Sequence, residues 1–116
     1  MKIYGIKTCG SVQKAIKFCE NNNLEYLFID FRKEPLSEDQ IDFFASKIDI
    51  NTLFNNKGTK YKTLGLKELN LDNEGKLAWL KKDNMLLKRP IIEYKKGTQA
   101  LCAFDEIIYT KEFLTQ

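Results

Sequence analysis

The strongest constraint on this chain is the order of its first three hydrophobic segments. Residues 2–6, KIYGI, place Ile3, Tyr4 and Ile6 in a run short enough for one buried strand. Over residues 11–22 the period changes. Val12, Ala15, Ile16 and Cys19 fall on one apolar helical stripe, with Gln13, Lys14, Lys17 and Glu20 outside it. Asn21-Asn22-Asn23 ends the helix, since asparagine tolerates the left-handed conformation of a helix exit. Residues 25–31, EYLFIDF, return to a strand pattern. Strand, helix and strand in that order predict a crossover unit with a parallel pair.

The middle of the chain reads differently. Pro35-Leu36-Ser37-Glu38-Asp39-Gln40 is a helix start, with Ser37 as N-cap and Gln40 at the capping-box position. Ile41, Phe44, Ala45 and Ile48 form its stripe. Short, mostly helical pieces follow to residue 83, punctuated by Asn56-Lys57-Gly58 and Asp72-Asn73-Glu74-Gly75. Leu77, Trp79 and Leu80 mark a later helix with a broad apolar face. Strands return at Arg89–Tyr94 and Gln99–Ala103, joined by the turn Lys95-Lys96-Gly97-Thr98, which predicts a hairpin. A closing helix is expected over Phe104–Leu114, burying Phe104, Ile107, Ile108 and Phe113. The order βαβ, helices, ββα is the thioredoxin plan: an α/β, thioredoxin-like fold with a helical insertion between the halves. The 116 residues suit a single domain, 1–116, with the helical insert at about 35–85.

Composition narrows the chemistry. The chain has no histidine, which excludes Ser-His and Cys-His nucleophilic catalysis and His-based zinc sites within one chain. Three scattered cysteines without CxxC spacing make a weak case for a metal, and their odd number argues against a disulfide framework. A charge of +3 from mixed, short basic runs reads as a solvated surface, so no direct nucleic-acid binding is expected. No stretch is long and apolar enough to span a membrane, and the first residues lack the apolar run of a signal peptide. The expected location is the cytoplasm, where the thiols stay reduced.

Cysteine, arginine, lysine and backbone amides are left to carry any reaction. Cys9 falls where the first strand ends and the first helix begins. Unpaired N–H groups and the helix dipole favour an anion there, so its thiol pKa is expected to fall. Lys7 and Lys14 are candidates for further positive charge, and small Thr8, Gly10 and Ser11 leave approach open. Cys19 lies on the helix stripe and reads as a small buried hydrophobe. Cys102 sits in the last strand, on a face that alternation alone does not decide; a structural role is favoured, with a resolving role left open. Lys88-Arg89-Pro90-Ile91 puts a proline at the opening of a strand, which a cis peptide explains. Arg89 beside it is a permanent cation suited to a carboxylate or oxyanion; a surface arginine on a trans bond is the alternative.

These residues carry a family resemblance. TCGSVQKA after a short strand, a helical insert containing YKTLGL, then KRPII with a closing hairpin and helix, resemble the ArsC/Spx/YffB family of arsenate-reductase-like proteins. The resemblance covers residues 2–114. It implies a thioredoxin-like fold, Cys9 as nucleophile, and Arg89 beside a cis-Pro90 shaping an anion pocket. It implies glutathione as co-substrate, or glutaredoxin as partner, with no bound cofactor and no metal. The glutathione-coupled arsenate reductases carry two further arginines, which fall at Asn55 and Ala103 here, so arsenate is not expected as the main substrate. Asn55 to Thr59 instead resembles the YffB-type branch, with Asn55 and Lys57 as pocket residues. The Spx branch regulates transcription through RNA polymerase and uses a CxxC switch. Val12 stands at that fourth position, and a polymerase-binding regulator is the alternative reading.

Overall fold

The computed structural model describes residues 1–114. In chain order it contains β1 (Lys2–Gly5), α1 (Gly10–Asn21), β2 (Leu27–Asp30), α2 (Glu38–Lys47), α3 (Ile50–Leu53), α4 (Thr59–Thr63), α5 (Asn73–Lys82), β3 (Ile91–Tyr94), β4 (Gln99–Cys102) and α6 (Glu106–Tyr109). The chain forms two compact units: Met1–Asp30 with the chain from Arg89 onward, and Phe31–Lys88.

The first unit is a four-stranded sheet in the order β2-β1-β3-β4. The β1–β2 pair is parallel, as the crossover pattern predicts. The β1–β3 and β3–β4 pairs are antiparallel. Ile3 lies opposite Ile92, and Ile92 opposite Leu101, so the three share one face. That face packs with Ala15, Phe18 and Cys19 of α1 and with Tyr109 and Phe113. Tyr4, Ile91 and Cys102 line up on the opposite face. The α/β, thioredoxin-like plan is therefore present: a crossover unit, then a hairpin and a terminal helix on one sheet.

Tyr109 organises the end of this unit. Its ring meets Phe18, Phe104 and Phe113 edge-on, at centroid distances of 5.5, 5.0 and 5.2 Å. Its hydroxyl donates to the Ala103 carbonyl at 2.6 Å. The Ala103 N–H donates to the Pro90 carbonyl at 2.8 Å. Ala103 is thus held from both sides, with φ at +69°. Burial pushes the Tyr109 phenol far above its ordinary value, and the Cys19, Cys102 and Asp105 charges add to the shift.

The closing helix departs from expectation. The α-helical part is only four residues, and Thr110–Leu114 continues as a π-helical turn. Tyr109 and Phe113 take the buried face, Ile107 is 82 % exposed, and Ile108 is 46 % exposed. The Asp105 carboxylate fixes this phase by accepting from the Ile107 and Ile108 N–H groups. Phe104 packs on Tyr109 and Phe113 is buried, as expected.

The second unit is helical. Ser37 Oγ accepts from the Gln40 N–H at 3.1 Å, and Gln40 Oε1 accepts from the Ser37 N–H at 2.9 Å, the full capping box. Helix α2 buries Ile41 and Phe44. Helix α5 buries Leu80 only; Leu77 and Trp79 are half-buried, so its apolar face is narrower than the sequence implies. Asn84 accepts from the Leu36 N–H at 2.9 Å and donates to the Leu80 carbonyl at 3.0 Å, tying the two ends of the unit. Among the described residues no helix is long and apolar enough to cross a membrane.

Candidate active site around Cys9

Cys9 is the N-cap of α1, in extended conformation with φ −78° and ψ 126°. The loop that presents it follows from β1. The Cys9 N–H donates to the Ile6 carbonyl at 3.2 Å, closing a turn, and the Gln13 N–H donates to the Cys9 carbonyl at 3.1 Å. Gln13 Nε2 donates to the Lys7 carbonyl at 3.1 Å, and the Lys7 N–H approaches the Asp30 carboxylate at 3.4 Å. Gly5 brings strand and helix together. A Cβ there would lie 2.5 Å from Val12 Cγ2, so only glycine lets β1 meet the first turn of α1.

The sulfur is half-buried and its electrostatics favour the anion. Partial burial pushes the thiol up. The Val12 and Ser11 N–H groups, then the Arg89 guanidinium as donor and as charge, outweigh it and hold the thiol below its ordinary value. The neutral side chain makes no capping hydrogen bond, so these amides are available to the charged form. Lys7 and Lys14 are exposed, and the causes of this lowering are the two amides and Arg89.

Thr8, Gly10 and Ser11 are exposed around the loop, and nothing lies within 4 Å of a Cβ built on Gly10. The Arg89–Pro90 peptide is cis. Pro90 is buried and Arg89 half-buried at the start of β3. Cys9, Thr8, Gly10, Ser11, Arg89 and Pro90 belong to the sheet unit; Asn55 and Lys57 belong to the helical unit. Asn55 is occupied locally: its N–H donates to the Leu86 carbonyl at 2.8 Å and its side chain accepts from the Lys57 N–H at 3.2 Å. Lys57 is exposed.

The other thiols differ. Cys19 is fully buried, its Sγ is 3.7 Å from Met1 Sδ, and burial pushes its thiol up. Cys102 is half-buried opposite Ile91. Among the described residues no group of His, Cys, Asp or Glu side chains is arranged to hold a metal ion. Three supporting residues escaped sequence reasoning: Gly5, Gln13 and Asp30. Only Gln13 left a signal, as a polar residue facing off the apolar stripe beside the loop.

The sequence profile of the ArsC family matches residues 4–109. The chain belongs to the ArsC family. A Haemophilus influenzae protein is 31 % identical over 112 residues, 96 % of each chain. The arsenate reductase of Rhizobium meliloti is 24 % identical, covering 91 % of this chain and 76 % of its own. A solved YFFB protein superimposes with a TM-score of 0.84, covering 95 % of this chain and 96 % of its own at 22 % identity, which shows the shared fold. This ArsC-family chain therefore has the arsenate-reductase-like, thiol-oxidoreductase fold. Its matched region runs from the strand before Cys9 to Tyr109 and includes Arg89 and Pro90.

Proposed function

We propose that this chain is a glutathione-dependent thiol reductase working through one nucleophilic cysteine, Cys9. The observation that carries the reading is the Cys9 thiol itself, held low by the Val12 and Ser11 amides and by Arg89. In a glutathionylated substrate, the Cys9 thiolate attacks the glutathione sulfur. The S–S bond breaks, the substrate leaves as a thiolate and takes up a proton, and Cys9 becomes a mixed disulfide. A second glutathione, or a glutaredoxin thiol, attacks that disulfide. Cys9 leaves as the thiolate and glutathione disulfide, or glutathionylated glutaredoxin, is released. The substrate gains two electrons and the attacking thiols supply them.

Arg89 holds a carboxylate of the incoming thiol in two-point fashion, with Pro90 beside it. Thr8, Gly10 and Ser11 shape access to the sulfur. The resolving thiol comes from outside because Val12 stands where a CxxC partner would be and Cys19 is buried. Asn55 and Ala103 replace two arginines of the arsenate enzymes, which leaves a tetrahedral oxyanion without much of its charge clamp. Arsenate is therefore not the main substrate, and the cytoplasm, rich in reduced glutathione, is the working compartment.

Mass spectrometry after exposure to oxidised glutathione tests this. One adduct at Cys9, with none at Cys19 or Cys102, is the expected result. Labelling at Cys19 or Cys102 in preference to Cys9 overturns the assignment, as does a titrated Cys9 thiol at or above the ordinary value.

A further inference from the structure

A groove of about 530 Å³ opens in the helical unit among Asn56, Lys57, Tyr61, Lys62, Lys67 and Glu68. Its cations come from three separate stretches: Lys57 from the loop after α3, Lys62 from α4, and Lys67 from the 3-10 turn Leu66–Leu69. Gly65, with φ at +65°, reverses the chain between the last two, so Lys62 and Lys67 line one groove. Tyr61 is anchored edge-on against Phe54 at 5.9 Å.

The charges in this groove are not balanced. On the same helix Lys60 pairs with Asp83 at 3.4 Å. Among the described residues Lys57, Lys62 and Lys67 form no ion pair. Three ammonium groups face a single carboxylate, Glu68, which leaves two positive charges over. The volume falls within the ~300–1,000 Å³ typical of small-molecule sites. We propose that this groove binds a small organic polyanion, a phosphate ester or a di- or tricarboxylate. The lysines meet its charges, and Asn56 and Tyr61 offer polar contacts to the rest of it. Binding here is non-covalent and does not depend on Cys9.

The test is a titration of the ¹⁵N-labelled full chain, followed by amide shifts, with tripolyphosphate in one arm and citrate in the other. Saturable shifts confined to residues 56–68 are expected in at least one arm. A response to tripolyphosphate alone assigns phosphate chemistry, and a response to citrate alone assigns carboxylate chemistry. The double variant Lys62→Gln, Lys67→Gln should weaken binding about tenfold, the scale for two exposed charge pairs. Glu68→Gln should tighten it, and added salt should loosen it. These side chains are exposed, so an unchanged spectrum elsewhere confirms an intact fold. Shifts spread over every lysine-bearing face, no saturation in either arm, or equal affinity in the double variant would overturn the proposal.

Discussion

Two helix starts in this molecule are built on opposite principles. At α2, Ser37 and Gln40 exchange reciprocal hydrogen bonds, and Glu38 and Asp39 place negative charge in the first turn. The Ser37 and Gln40 amides there are occupied. At α1, the N-cap is a thiol that forms no capping hydrogen bond, and the first turn holds no acidic residue. Helices α3, α5 and α6 also carry side-chain N-caps, with Asp49, Asp72 and Asp105 accepting from their first-turn amides, while α4 starts at Gly58 without one. The difference teaches where a fold keeps donors in reserve. A carboxylate at position 9 would have satisfied the helix; a thiol leaves the same donors to stabilise the thiolate when it ionises.

The hardest blow to this contrast is Cys9→Ser. It should abolish the glutathione adduct while leaving the fold intact, since a serine hydroxyl caps a helix better than a thiol and adds up to ~1 kcal/mol. Mass spectrometry and a thermal melt read the two halves; a variant that loses both adduct and fold contradicts the contrast. Gly5→Ala comes next. Its methyl group would sit 2.5 Å from Val12 Cγ2, beside the amide that serves the sulfur. Overpacking of this kind costs ~1–3 kcal/mol, measurable by urea denaturation, and an unmoved midpoint would show the approach to be looser than described.

Arg89→Ala removes the cation beside the sulfur. The thiolate is the reacting form, so losing a neighbouring cation raises the pH at which Cys9 alkylation reaches half its maximal rate. A midpoint that does not move removes Arg89 from the site. The finest comparison sets Ser37→Ala beside Cys9→Ala in one denaturation series. The first should cost ~1 kcal/mol for a lost cap, and the second should cost clearly less because no capping bond is broken. Equal losses would erase the distinction between the two starts.

Much of this was legible in the sequence. Ser37 and Gln40 announce their capping box because both partners lie within one turn. The crossover unit is readable because Val12, Ala15 and Cys19 keep strict helical spacing between two strand-like runs. Position 9 is readable for the same reason: the change of period locates the helix start. What escaped reading depends on distant partners. Ile107 and Ile108 look like core residues, yet Tyr109 wins the buried face because Phe18, remote in sequence, fits its ring and the Ala103 carbonyl accepts from its hydroxyl. Gly5 is silent in the sequence because its reason is Val12 pressing from the next element. The cis Arg89–Pro90 peptide is one of two readings of Lys88-Arg89-Pro90-Ile91, and no local pattern chooses between them.

The hold on Ala103 has a consequence for how such a protein changes over time. Its amide is fixed by Pro90 and its carbonyl by the Tyr109 hydroxyl, so the main chain there is set by neighbours and not by the residue's own side chain. Any L-residue meets the same positive φ, and the half-buried methyl group fills no deep slot. Position 103 behaves as a socket. A substitution there changes the side chain on show while the main chain keeps its path.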